Sequence, residues 1–329
     1  MHIFNRRHFL KHVLAFCTVV ACATLVQAQE FPLRTVRVVV QVPPGGLQDT
    51  IARATAQELS TLWGQPVIVE NRPSAAGVVG AEQVARAVPD GHMILQTGGS
   101  TIYANEMLRK DLPYDTNRDF APVTILIGSN NILVASPKLP ANTLQEMIAL
   151  ARARPGALNY GSLGIGHATH VDVEWILREA GVQVEHVPYK GGAQALQSVA
   201  SGEIAFAITG ITAAIPMVRQ GRIKGIGYAG LKRSELFPDM PTVAESGFPG
   251  FESGSWFGWF VPAGTPKTAI DKIAADVKRV ISAPVFKEKF ITAGGHELMA
   301  TPSAEFGPIM DRQRKAFAAK IKPLNLKME

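Results

Sequence analysis

Groups able to make or break a covalent bond are scarce in this chain, and each stands alone. Ser162 and His167 share one loop, but no acid completes a relay and no Gly-x-Ser-x-Gly elbow occurs. His167 and His170 have the spacing of metal ligands on one helical turn. No third ligand is evident nearby, so they read as capping or packing histidines. Gly164-Ile165-Gly166 opens like a dinucleotide fingerprint, yet Thr169 stands where the third glycine belongs. Asp49 falls in a first helical turn, where an acid gains about 0.3–1 kcal/mol from the helix dipole without any role as a base. Trp256, Phe257, Trp259 and Phe260 read as core sooner than as an aromatic ligand wall. What remains is a set of loops: Pro44-Gly45-Gly46, Gly98-Gly99-Ser100-Thr101, Ser162 to Thr169, Lys190-Gly191-Gly192 and Thr209-Gly210. They offer backbone N–H groups, hydroxyls and one cation, an inventory suited to reversible capture of a small carboxylate between two domains.

Each loop follows a strand. Val36 to Val42 is a β-branched run, and after the glycines Ile51, Thr55, Leu59 and Leu62 mark one face of a helix. That order leaves the unpartnered N–H groups of a helix start pointing at whatever lies above the strand, which attracts anions. Further strands are expected at 65–71, 92–97, 158–162, 184–189, 204–208 and 223–228, with helices at 80–88, 144–154, 170–180 and 193–201. The alternation predicts an α/β protein with parallel sheets. The stretch 120–136 reads as a long connection between domains, which divides the chain into one lobe of 29–127 plus 233–329 and a second of 128–232.

Residues 1–28 read as a cleaved export signal. Arg6, Arg7 and Lys11 precede an apolar run from Val13 to Val26, shorter than the roughly 20 residues that span a bilayer, and Val26-Gln27-Ala28 is a small-residue cleavage site. Asn5-Arg6-Arg7 resembles a twin-arginine signal, and Val19-Val20-Ala21-Cys22 loosely resembles a lipoprotein site. Both cysteines, Cys17 and Cys22, leave with this segment, so the mature chain has neither thiolate chemistry nor disulfides. It keeps 30 basic against 27 acidic residues and no dense basic cluster, which argues against nucleic acid. A periplasmic location follows.

Several ordered motifs then resemble one family. They are Pro44 to Arg53, Glu70-Asn71-Arg72-Pro73 with Gly77, Gly80 and Ala81, and Pro89-Asp90-Gly91. Leu112-Pro113-Tyr114-Asp115 with Asp119 to Val123, His186 to Gly191, Phe237 to Thr242 and Pro262 to Pro266 continue the series. The chain resembles a substrate-binding protein of the tripartite tricarboxylate transporter type, the Bug family of periplasmic receptors. The resemblance implies a type II periplasmic binding protein: two α/β lobes joined by two crossing segments, with the ligand cleft between them. It implies a small carboxylate ligand (an organic acid, acidic amino acid or aromatic carboxylate), no cofactor, no metal, no catalysis, and delivery to integral membrane carrier subunits by a monomer. It implicates Gly45, Gly46 and Asp49, the loop Ser162 to Thr169, and Lys190-Gly191-Gly192. With the other loops the expected ligand set is Pro44, Gly45, Gly46, Asp49, Gly99, Ser100, Thr101, Ser162, Gly164, Gly166, His167, Ala168, Thr169, Lys190, Gly191, Gly192 and Thr209. Val42-Pro43, His92, Ile165 and His167 depart from the usual pattern. A receptor feeding a sensor kinase shares these features, whereas an exported enzyme would need a nucleophile–base pair that the chain lacks.

Overall fold

A computed structural model describes residues 31–74, 77–165, 167–189 and 191–324. The expected signal at 1–28, the candidate ligand residues Gly166 and Lys190, and the side chain of Ser100 lie outside the described residues.

Valine fills four of the five positions of β1 (Val36–Val40), and all four are fully buried. Val36, Val38 and Val40 enter one core and Val39 another, as expected of a central strand covered on both faces. Helix α1 (Leu47–Trp63) follows, closed by Gly64 in the left-handed region at φ 63°. The chain continues through β2 (Val67–Asn71), α2 (Val78–Ala85) and β3 (Met93–Gly98). Strands β2 and β3 pair parallel with β1 on either side. The expected loop after β3 is instead a π-helical turn, Ser100–Ala104, which runs directly into α3 (Asn105–Leu108).

The stretch expected to connect two domains is a 16-residue strand, β4 (Phe120–Ala135). The second set of units is α4 (Leu144–Ala153), β5 (Asn159–Ser162), α5 (Ala168–Ala180), β6 (Glu185–Pro188), α6 (Gly192–Ser201), β7 (Phe206–Gly210), α7 (Ile211–Arg219) and β8 (Lys224–Tyr228). The chain then returns as β9 (Gly254–Pro262), α8 (Lys267–Ile281), β10 (Glu297–Leu298) and α9 (Ser303–Ile321). From Phe120 to Asn130, β4 pairs antiparallel with β9, which also pairs antiparallel with β3. From Asn131 onward it pairs antiparallel with β7 and β8. The strand order is β2-β1-β3-β9-β4-β7-β5-β6, so parallel blocks flank two antiparallel strands and one strand serves both lobes. Val243, Phe248 and Phe251 pack with Leu133 and Tyr160 in the second lobe's core. The C-terminal helix binds both lobes: Phe306 and Met310 pack in the first, while Lys320 Nζ lies 2.6 Å from Asp172 Oδ1 in the second.

Two local devices hold the loops that follow the strands. Asp49 is buried beneath the glycine turn, where its carboxylate accepts from Gly45 N (2.9 Å), Asn71 Nδ2 (2.8 Å) and Arg53 Nε (3.0 Å). Burial alone would raise this carboxyl, but those donors outweigh it and hold it below the usual carboxylate range. In the second lobe, His170 and His186 stack with centroids 4.0 Å apart, and Tyr160 and Phe206 extend the stack. Tyr160 Oη donates to Glu174 at 2.6 Å, and Glu174 lies 4.0 Å from His170 Nε2. Burial depresses His170, and it takes His186 down to about 4 with help from His170 beside it, against the pull of Glu174. His296, in the first lobe, is likewise held at about 4 by burial.

Asp49→Ala leaves the turn's donors without their acceptor. We expect it to cost about 1–3 kcal/mol of stability in denaturant unfolding. The histidines set a pH dependence. Unfolded histidine takes up its proton near pH 6.5, whereas folded His186 and His296 resist protonation to about pH 4, so the unfolded state binds more protons in between. Stability should therefore fall as pH drops from about 6.5 towards 4, seen as a falling Tm. His186→Gln should flatten that fall, and a Tm independent of pH across this window would contradict the assignment.

Candidate functional site

Where strand ends of the two lobes face each other, the fold leaves a cavity of about 780 Å³. Its first-lobe wall comes from the end of β1 (Gln41, Val42, Pro43), the start of α1 (Gln48), the loop before α2 (Pro73, Ser74, Gly77) and the end of β3 (Gly98). The segment from Thr101 through Ala104, Asn105 and Leu108 to Arg109 adds a flank, and Ser255 and Phe257 of β9 form the floor. The opposite wall is Leu163, Ile165, His167, Ala168 and Gly191. This is the place beyond strand C-termini where open α/β sheets bind ligands. A smaller cavity of about 440 Å³, between α1 and the segment around Phe286, lies on the outer face with no strand ends behind it.

Among the described residues four helices of eight or more residues begin at the cavity: α1 at Gln48, α2 with Gly77 as its cap, α5 at Ala168 with His167 as its cap, and α6 with Gly191 as its cap. Each helix start carries roughly half a positive charge together with N–H groups that lack intrahelical acceptors. No aspartate or glutamate lines the cavity among the described residues, so nothing offsets that potential. His167 is held down to about 4 by burial and by His170 nearby, hence neutral at pH 7. Its Nδ1 accepts from Thr169 N at 3.2 Å, which fixes the start of α5. Arg109 is the cavity's one fixed charge among the described residues.

The first-lobe wall is held by side-chain amides bonded to neighbouring loops and strands. Gln41 Nε2 donates to Gly77 O and Gln41 Oε1 accepts from Thr97 Oγ1, each at 2.5 Å. Gly77 sits in the left-handed region at φ 74°, and a Cβ there would lie 2.8 Å from Gln41 Cδ. Gln48 and Gln96 exchange side-chain-to-backbone bonds at 2.8 and 2.6 Å, and Trp259 Nε1 donates to Gln96 Oε1 at 2.8 Å. The wall is thereby rigid before any ligand arrives.

Of the expected ligand residues, Thr101, His167, Ala168 and Gly191 line this cavity. Pro44, Gly45 and Gly46 are exposed on the turn beside it, with Asp49 beneath them. Gly45, at φ 90°, is the residue that needs glycine. A Cβ at Gly46 would meet nothing closer than Pro43 O at 4.0 Å. Gly99 is buried against Tyr103, and Ser100 begins the π-helical turn. Ser162, Thr169 and Thr209 are buried behind the second wall. Thr169 Oγ1 accepts from Leu163 N at 3.0 Å, Gly164 takes φ 114° at the bend, and a Cβ on Gly192 would meet Thr209 Oγ1 at 2.9 Å. Ser162 pairs with His186 Nε2 at 2.6 Å rather than with His167. Ser162 has no solvent exposure, so the pair braces the loop. Trp256, Trp259 and Phe260 are core, while Phe257 of the same strand reaches the cavity. Gln41, Ser74, Asn105, Arg109 and Ser255 carried no motif. Gln48 did, within Pro44 to Arg53, and so did Gly77, within the stretch after Glu70-Asn71-Arg72-Pro73.

Residues 51–326 match the sequence model of the tripartite tricarboxylate transporter family receptor. A UPF0065 protein of Bordetella pertussis is 35% identical over 277 residues, which cover 84% of this chain and 85% of that one. Among solved structures, the periplasmic binding protein BugD superposes with a TM-score of 0.78 at 28% identity, covering 91% of this chain and all of that one. MatC from Rhodopseudomonas palustris with bound malate gives 0.76 at 31% identity, over 88% of this chain and 100% of its own. These similarities agree with a two-lobe α/β cleft built for binding rather than turnover, and the chain belongs to the tripartite tricarboxylate transporter receptors, the Bug family of periplasmic solute-binding proteins.

Proposed function

We propose that this receptor captures a small organic carboxylate in the cavity between its lobes and hands it to the membrane subunits of a tripartite transporter. The observation that carries the reading is the convergence of four helix N-termini on a cavity without acidic lining among the described residues. The malate bound by MatC supports the same ligand class. In this reading Thr101, His167, Ala168 and Gly191 meet the ligand together with Gln41, Gln48 and Gly77. Gly45, Asp49, Ser162, Thr169, Gly192 and Thr209 act from behind, by holding those walls. The lobes turn about β4 near Gly128 to Asn131 and about the return near Ser253, which refines the division expected at 127 and 233. The signal at 1–28 delivers the chain to the periplasm, where it works as a monomer.

A thermal-shift screen of organic acids against their neutral amides tests this. Carboxylates should raise Tm, by the equivalent of about 2.7 kcal/mol at a hundredfold excess over Kd, and the amides should not. The ligand should be recovered unchanged after incubation. Stabilisation by none of the acids, or by acids and amides alike, would refute the reading. Gly77→Ala forces a side chain into the left-handed region and into Gln41. It should cost roughly 1–2 kcal/mol of stability and, by displacing Gln41 from the wall, weaken carboxylate binding about tenfold or more in calorimetry.

A further inference from the structure

A turn of the first lobe, Gly294-Gly295-His296, rests on the second lobe and takes no part in lining the cavity. It follows Ile291 of the first core and precedes β10. Thr212, in the first turn of α7, meets it from the second lobe. Thr212 Oγ1 donates to Gly294 O at 2.9 Å and lies 3.1 Å from His296 Nε2. A hydroxyl has one proton, so the second bond runs from His296 Nε2–H to Thr212 Oγ1. Glycine lets the turn approach this closely. A Cβ at Gly294 would lie 2.5 Å from His296 Nε2. One at Gly295, where φ is 69°, would lie 2.9 Å from Leu236 Cδ1 and 3.4 Å from Ile211 Cδ1. Ile211 is part of a second-lobe core and Leu236 packs against it.

The other ring nitrogen gives this contact its condition. With the proton on Nε2, Nδ1 is bare, and it is shielded from solvent without a hydrogen-bond partner among the described residues. Protonation would bury an N–H and a charge with no acceptor, which is costly. Burial holds His296 at about 4. The ionisable side chains on the elements packed here are Lys287, Glu288 and Lys289 before the turn, Glu297 after it, Arg233 and Glu235 near Leu236, and Arg219 at the far end of α7. None of them shifts the imidazole, which answers to burial alone. Freed from Thr212, the ring would regain water and its ordinary value near 6.5. We propose that Gly294-Gly295-His296 is a proton-released latch between the lobes, docked on α7 while His296 is neutral and freed once it is charged. The latch restrains the lobes whatever ligand the cleft holds, so it stands apart from the carboxylate reading.

Linkage sets the size of the effect. A histidine at about 4 when docked and near 6.5 when free favours the free turn roughly 30-fold more at pH 5 than at pH 7.5. The mature chain has no cysteine, so spin labels on Val88→Cys and Glu179→Cys, one exposed site in each lobe, report the lobe separation by paramagnetic resonance. Between pH 7.5 and 5 the ratio of freed to docked separations should rise by about that factor, and the His296 signal in NMR should titrate near pH 4. His296→Gln keeps a donor for Thr212 but takes no proton, and should make the separation independent of pH. Thr212→Ala should free the turn at pH 7.5 and raise the His296 midpoint towards 6.5, a shift that loss of a merely structural hydroxyl would not produce. Three outcomes would each overturn the latch: a wild-type separation unmoved by pH, an undiminished pH response in folded His296→Gln, or a His296 midpoint unmoved in Thr212→Ala. If His296→Gln fails to fold by circular dichroism, the Thr212→Ala midpoint decides alone.

Discussion

Everything in the cleft depends on one strand being shared. β4 is hydrogen-bonded into the first sheet as far as Asn130 and into the second from Asn131 onward. A strand that serves two sheets sets their separation and relative twist without a flexible linker, and so decides which strand ends confront each other. The parallel blocks of each lobe then send their helix starts towards the same space, because in a parallel strand–helix unit the helix begins where the strand ends. The cavity follows from topology before any side chain is considered. Side chains decide what it accepts.

The wall attracts anions with dipoles more than with ions. Four helix starts create positive potential beside a neutral His167, from groups that carry no countercharge of their own. A receptor must also release its ligand, and several buried ion pairs would slow that step, since affinity differences among related complexes lie mostly in the off-rate. Partial charges on rigid backbone hold an anion without that excess. Their rigidity has a visible origin: Gln41, Gln48 and Gln96 have side-chain amides that bond to neighbouring loops and strands, and Asp49 gathers three donors under the glycine turn. Preorganisation of this kind lowers the ordering cost of binding.

Much of the fold was legible because period and punctuation are local properties. The apolar run at β1, the spacing of Ile51, Thr55 and Leu59, and the glycines after each strand place most elements within one or two residues of where they lie. β4 was misread because Gly128-Ser129-Asn130-Asn131 interrupts two apolar runs as a linker would. Only pairing with β9, over a hundred residues distant, makes it a strand. The packing of Val243 and Phe248 with Leu133 and Tyr160 was hidden for the same reason, since their partners are distant in sequence. The candidate site was half legible. Strand-end loops were identifiable, but whether a hydroxyl faces the cavity or braces it from behind depends on contacts such as Thr169 with Leu163 and Ser162 with His186. Arg109 left no trace in the pattern, since an arginine between Leu108 and Lys110 reads as an ordinary solvated side chain.

The C-terminal helix limits how such a cleft can move. Lys320 lies 2.6 Å from Asp172 and donates to Glu252 O at 2.8 Å, and Ser253 Oγ donates to the same aspartate. These contacts sit beside the crossing of the lobes, with the aspartate side chain 6% exposed. Parting a buried pair strands an uncompensated charge and is far costlier than bending a strand by a few degrees at each of several residues. Motion that opens the cavity while keeping this contact is therefore favoured. Its pivot must lie close to Lys320 and Asp172, where displacement is least. Displacement grows with distance from that pivot, so the cavity between the lobes can change width while the two cores and the shared strand keep their packing.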